Sequence, residues 1–248
     1  AIDLIITQSE SWSLKIGKAC LQREKVCFFL DRQSSIFKII KNVNENHKNF
    51  GKLNFNEKSI FLKINKDPES DLTTKRLEKL KKTCERVLRL RGYEISEKAE
   101  EKYIFTTKSQ GSIEEGFKKC ICGVVKNPEL NTKETSETYE SYLQRKIESL
   151  EEVNEGREGS GVESRLRRIA EAIITFEMLG VRPSRPSFIE VCTDSDKSIA
   201  SNRGGSFVLY NAARIEAILS KFKEEFSLGR YPEIWRIDEV DFSRLSSE

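Results

Sequence analysis

Ser206–Phe222, SFVLYNAARIEAILSKF, is the stretch on which the reading of this chain turns. Phe207, Ala212, Ile215, Leu219 and Phe222 recur at spacings of three to five, which builds an apolar stripe along one helix face. Asn202, Gly204 and Gly205 just upstream suit a loop and cap, and Gly229 just beyond suits a left-handed stop. The spacing predicts a helix over 206–226 with one buried face.

Working outward, Leu166, Ile169, Ile173 and Phe176 predict a second amphipathic helix over 165–179, ended by Gly180. Pro183 and Pro186 force a turn after it, because proline cannot continue a helix. An apolar, strand-like segment near 188–192 then runs into the polar loop Thr193–Gly205. Glu151–Ser164, EEVNEGREGSGVES, is rich in Glu, Gly and Ser and reads as the internal boundary, which gives parts 1–150 and 151–248.

The N-terminal part mixes strands and helices. Short apolar runs predict strands near 26–31, 59–64, 93–95 and 120–125, and Ile36–Val43 has helical spacing. Residues 1–25 carry no usable motif, and 96–118 are polar. The strongest helix runs from Leu72 to Arg91, with Leu77, Leu80, Cys84, Val87 and Leu88 on one stripe. Lys75, Lys79, Lys82, Arg86 and Arg89 recur at four, three, four and three, so they stack on the opposite face. Eight cations against two acids lie between Lys75 and Arg91. Several Lys and Arg presented together on a rigid element is the layout that phosphate contact requires, and a solvated face is the competing reading.

Composition narrows the classes. Hydrophobic residues make up 37% and charged residues 33%, with 43 basic against 40 acidic side chains for a net +3. That balance names no partner; the placement of the charge matters. The six cysteines lack the spacing of a disulfide framework, and no secretory signal or membrane-length apolar run occurs. A reducing, cytoplasmic setting without membrane association is expected. Cys120-Ile121-Cys122 has no C-x-x-C after it and the sole histidine, His47, lies in a polar stretch, so no metal site is expected. No Gly-rich nucleotide loop is present, and no cofactor is expected. The chain begins at Ala1 and reads as a fragment.

The words inside the segments carry a resemblance. FVLYNAARI resembles the opening of the DALR anticodon-binding domain of arginyl-tRNA synthetases, with Val208, Tyr210, Ala213, Arg214 and Ile215 at matching positions. SIFLKI, the helix after it and RGYEI resemble the start of the class I catalytic domain. Where its two ATP-binding histidines belong, this chain has Asp71–Thr74, DLTT, which supplies no imidazole or cationic donor. At the place of the second ATP loop stands Glu129–Lys133, ELNTK, of which Thr132 and Lys133 keep the character. TFEML, GGSFVLYNAAR, FSLGRYP, VDFS and CICGVVK are similar to the non-catalytic DALR-domain relatives of these synthetases.

The resemblance implies an α/β (α+β) remnant of a class I synthetase Rossmann-type domain, followed by a helical stem leading into a DALR-type helical domain. It implies a pseudoenzyme that binds arginine tRNAs and presents them to a methyltransferase of the methyltransferase-like family, which forms 3-methylcytidine in the anticodon loop. Candidate RNA-binding residues are Lys75, Lys79, Lys82, Arg86, Arg89, Tyr210 and Arg214; for Arg214, phosphate contact and an ion pair within the stem both stand. The alternative is a helical protein-interaction subunit without direct RNA binding.

Overall fold

In the computed structural model, which describes residues 2–54, 58–153, 161–189 and 204–243, contacts gather the chain into two units. One comprises 1–52 with 222–248, the other 53–221.

The smaller unit starts with α1 (Ile2–Ser9) and a β-hairpin of β1 (Ile16–Gln22) and β2 (Lys25–Leu30). Arg23 and Glu24 form its two-residue turn, with φ of 46° and 65°. Both central residues at positive φ is the twist that matches a hairpin's strands, here reached without glycine. The Ser9 hydroxyl accepts from the Ile16 amide at 2.9 Å and ties α1 to the hairpin. The second strand is the one expected near 26–31; β1 was not foreseen, because Lys18 and Gln22 break its apolar alternation. α2 (Arg32–Asn46) is started by Asp31, whose carboxylate accepts from the Ser34 amide at 2.8 Å. Phe242 meets Phe37 edge-on at 5.8 Å within this unit.

The larger unit is organised by a four-stranded parallel sheet. Its strands are β3 (Ser59–Ile64), β4 (Glu94–Ile95), β5 (Glu101–Thr106) and β6 (Phe117–Ile121), in spatial order β4-β3-β5-β6. The strand order reverses at β3, so the ends of β3 and β5 meet at a topological switch point. β5 lies inside the 96–118 segment read as polar. Its outer half is polar, Glu101 and Lys102, while Ile104 and Phe105 are buried. The strand expected over 120–125 runs instead over 117–121, where Phe117 to Ile121 pair in register with Lys102 to Thr106. Cys122–Val124 then link it to β7 (Val125–Lys126).

α3 (Asp71–Leu90) follows β3. Ser70 caps it by accepting from the Thr73 amide at 3.1 Å, Asp71 suits the positive end of the helix dipole, and Gly92 at φ +83° ends it. Leu77 and Leu80 pack against Ile60, Leu62, Phe105 and Cys122, with Cys84 and Leu88 at the margin. Val87, expected on this stripe, is exposed.

A second core joins α4 (Tyr139–Val153) to α5 (Val162–Leu179), with Leu143, Ile147, Leu150, Leu166, Ala170, Ile174 and Met178 buried together. The buried stripe of α5 therefore runs at spacings of four through 166, 170, 174 and 178. Ile169 and Ile173 sit at its edge, and Phe176 is exposed, against expectation. The composition-based boundary is partly helical: 151–153 close α4 and 162–164 open α5. β8 (Ser187–Phe188) pairs in parallel with β7, shorter than the strand expected over 188–192, of which 190–192 lie outside the described residues.

α6 (Gly205–Ser227) confirms the helix read from the opening stretch. Its stripe is not buried among the described residues: Phe207, Ile215 and Leu219 are exposed, and Phe222 is half-buried against Tyr231, ring centroids 5.6 Å apart. Only Gly205 is buried. A Cβ there would come within 2.6 Å of the Ala172 carbonyl, so glycine lets α6 start directly on the backbone of α5.

Candidate nucleic-acid interface

The cations of α3 separate into engaged and free. Lys75 pairs with Glu78 at 3.0 Å, and that hydrogen bond holds its ammonium above the usual lysine range. Arg76 is fully buried and is no surface cation. Its Nε donates to the Met178 carbonyl at 2.9 Å and its Nη1 to the Gly123 carbonyl at 2.5 Å. The Met178 carbonyl belongs to the last turn of α5, the negative end of that helix, which offsets part of the cost of burying the guanidinium, whose Nη2 has no hydrogen-bond partner among the described residues. Lys79 donates to Thr175 Oγ1 at 2.9 Å and lies 5.2 Å over the Tyr139 ring. Burial pushes the Lys79 ammonium down, with Glu171 opposing. Lys81 pairs with Glu85 at 3.1 Å.

Lys82, Arg86 and Arg89 are exposed and form no ion pair among the described residues. The five-membered stripe therefore divides. Its first two members point at α4 and α5, because the first half of α3 packs on those helices; the last three face outward.

Between α3 and α5 lies an open groove of about 340 Å³, lined by Lys79, Lys82, Arg86, Arg168, Glu171 and Phe176. Arg168 is exposed and without an ion pair among the described residues, whereas its neighbour Arg167 is held by Glu140 at 3.1 Å and Glu171 at 3.5 Å. Arg168 and Phe176 were missed by sequence reasoning. The signal was there in the run Leu166-Arg167-Arg168, but it required knowing which face of α5 is buried. Lys82, Arg86 and Arg168, without ion pairs among the described residues, thus rim a groove carrying an exposed aromatic ring. Chemically this arrangement can take an anionic chain whose planar groups stack, the pairing that single-stranded nucleic acid offers.

The segments that resemble ATP loops are occupied from within. Asp71 Oδ2 accepts from the Tyr139 amide at 2.7 Å, Thr73 Oγ1 from the Val125 amide at 3.1 Å, and Thr74 Oγ1 donates to the Asp67 carbonyl at 3.0 Å. Lys133 lies 2.6 Å from Asp67 and 2.7 Å from Glu69. Burial pushes the Asp67 carboxyl up, but Lys133, the Glu69 amide and Thr107 outweigh it, and the group sits below the usual carboxylate range. For Lys133, burial is opposed by the same acids, which hold it above the usual lysine range. Asp67, Asp71, Thr73, Thr74 and Lys133 at the switch point are thus each committed to a neighbour.

Tyr210 and Arg214 lie on α6, away from the α3 stripe in sequence and exposed. Neither has an ion pair or ring contact among the described residues, so the structure does not bring them into the groove set. Among the described residues no group of three or more His, Cys, Asp or Glu is placed to hold a metal ion, and no helix is long and apolar enough to cross a membrane.

The chain has relatives among curated proteins. It is 33% identical over 128 residues to DALR anticodon-binding domain-containing protein 3 of Danio rerio, a match covering 52% of this chain and 23% of that protein. Proteins of the same name from Rattus norvegicus and Mus musculus are each 35% identical over 77 residues, 31% of this chain and 14% of theirs. The chain thus spans about a quarter or less of the curated relatives it matches. No family model and no solved structure matches. These relatives are named for the domain that FVLYNAARI resembles, and the names are not those of a synthetase.

Proposed function

We propose that this chain belongs to a non-catalytic tRNA-binding adaptor and that the groove between α3 and α5 contacts the RNA backbone. The observation that carries the reading is the set of cations without an ion pair among the described residues, Lys82, Arg86, Arg89 and Arg168, on adjoining faces of two packed helices. Unpaired cations on rigid elements release counterions when they meet phosphates, which is the main source of affinity for any nucleic acid. The relatives' name, with its anticodon-binding domain, supports tRNA as the ligand. The family resemblance extends the proposal to arginine tRNAs and to a partner methyltransferase that makes 3-methylcytidine in the anticodon loop, in the cytoplasm. The internal commitments of Asp71, Thr73, Thr74 and Lys133 support a pseudoenzyme, since none of these side chains is left to grip ATP phosphates.

The test is titration of the purified chain with arginine tRNA and a non-cognate tRNA at several salt concentrations. Binding with a steep negative slope of log K on log salt supports the adaptor; absence of binding to either RNA at low salt overturns it. Arginine-dependent ATP exchange by the chain would overturn the pseudoenzyme reading.

A second reading rests on α6. Val208, Ile215 and Leu219 present an apolar face that no described residue covers, which fits a protein-interaction subunit without direct RNA contact. Under that reading tRNA does not bind, and a protein partner co-purifies instead.

A further inference from the structure

Phe176 is a large aromatic side chain on the outer face of α5, 42% exposed, one position beyond Thr175, which anchors Lys79. The core side of this turn is filled by Ile174 and Met178, both essentially buried. Exposing a phenyl ring costs the apolar burial it would otherwise gain, so the position is informative only if something else uses the ring. Its surroundings supply the candidate. Lys82 and Arg86 from α3 and Arg168 from α5 line the same groove and form no ion pair among the described residues.

We infer that this groove holds an unpaired nucleotide, its base stacked on Phe176 and its flanking phosphates on Lys82, Arg86 and Arg168. This rests on the RNA-binding reading above and deepens it, by assigning single-stranded rather than duplex RNA to the site. A duplex presents phosphates but keeps its bases paired and stacked inside, so the ring would gain nothing from it. A single strand offers a π-face with every nucleotide, and stacking of that kind tolerates any base. Glu171, the one acid among the described residues that line the groove, adds a hydrogen-bond acceptor to it, for which a ribose hydroxyl or exocyclic amine is the complementary donor.

The test compares four proteins: the parent, Phe176→Ala, Phe176→Trp and Arg86→Ala/Arg168→Ala. Each is titrated with a short single-stranded oligoribonucleotide and with a blunt RNA duplex of equal phosphate count, across a salt series. Loss of one stacked base should weaken single-strand binding by Phe176→Ala about 5- to 150-fold, leaving its salt slope and the duplex affinity unchanged. Phe176→Trp should bind the single strand at least as well as the parent, and its added fluorescence, relative to the parent, should be quenched on binding. If Phe176→Ala binds the single strand like the parent while Arg86→Ala/Arg168→Ala is weakened, the stacking inference is overturned and the cationic groove stands. Equal weakening toward both RNAs also overturns stacking. If Arg86→Ala/Arg168→Ala binds both RNAs as tightly as the parent, the groove reading falls and takes this inference with it.

Discussion

Lys133 Nζ stands 2.6 Å from Asp67 Oδ1 and joins the loop after β3 to the loop after β7. The carboxylate is almost fully buried and also accepts from the Glu69 amide at 3.0 Å and from Thr107 at 3.1 Å. A charge in that position is tolerable only while its partners remain. The pair therefore fastens the switch point of the sheet, where two loops would otherwise part.

Replacing Lys133 with Ala should lower unfolding stability at neutral pH by about 1–3 kcal/mol, since it strands part of a buried carboxylate's hydrogen bonding. Asp67 sits below the usual carboxylate range, so the stability it adds is present above the unfolded value of about 3.9 and is lost as pH falls from there through the folded value. The penalty of Lys133→Ala should accordingly shrink in the same acid window, because a protonated Asp67 no longer needs the ammonium. Urea unfolding at neutral pH and near pH 3 measures both effects. A Lys133→Ala chain as stable as the parent at neutral pH would refute the fastening role.

Arg76 makes a different kind of joint. Its guanidinium reaches the Met178 and Gly123 carbonyls, so one side chain of α3 holds the end of α5 and the loop after β6. Arg76→Leu fills the same space but orphans both acceptors, at about 1–3 kcal/mol for each buried group left unsatisfied. Arg76→Lys keeps the charge with fewer donors and should fall between the two. Because no carboxylate is involved in these bonds, the destabilisation should persist in high salt, which denaturation in the presence and absence of added salt can check.

Arg76 also marks the limit of what the sequence discloses. The helix that carries it was legible from the spacing of Leu77, Leu80, Cys84 and Leu88, and so were the sheet's central strand at 59–64 and the helices over 165–179 and 206–226. Arg76 entered the reading only as one of eight cations between Lys75 and Arg91, because periodicity gives the relative angle of residues around a helix and not which neighbours will pack on it. The same gap explains Lys75 and Lys79, whose turn is covered by α4 and α5, and Phe176, which an apolar count assigns to the core. β5 escaped because only its second half is buried. Within the candidate site, Lys82, Arg86 and Arg89 were readable from α3 alone; Arg168 and Phe176 needed the pairing of α3 with α5.

Gly205→Ala should detach the start of α6. The added Cβ would lie 2.6 Å from the Ala172 carbonyl carbon and oxygen, which are backbone atoms of a packed helix and cannot yield cheaply. Overpacking of this kind costs about 1–3 kcal/mol. Hydrogen exchange should then accelerate in the first turn of α6 while the amides of β3 and β5 stay protected. Unchanged protection at Ser206–Leu209 would mean that this close approach does not fix the helix.

The division of the α3 cations gives the sharpest test of the RNA reading. Lys82→Ala/Arg86→Ala/Arg89→Ala removes side chains that form no ion pair among the described residues, whereas Lys75→Ala/Lys79→Ala removes two that are engaged with Glu78, Thr175 and Tyr139. Had the stripe worked as one charged face, tRNA affinity would fall in proportion to the charges removed from either set. Sorted by environment, the two variants should separate. The triple change should weaken tRNA binding and flatten the slope of log K on log salt by about 0.7–0.9 for each phosphate that the protein no longer neutralises. Its stability should stay near the parent's, because exposed substitutions usually shift it by no more than about 0.5 kcal/mol each. The double change should do the reverse: remove the Lys79 hydrogen bond to Thr175 and its placement over the Tyr139 ring, lower the unfolding midpoint, and leave the salt slope close to the parent's. Should the triple variant bind tRNA as tightly as the parent at low and physiological salt, the outer half of α3 is a solvated face; should the double variant flatten the slope as much per charge, the engaged lysines are released to meet RNA.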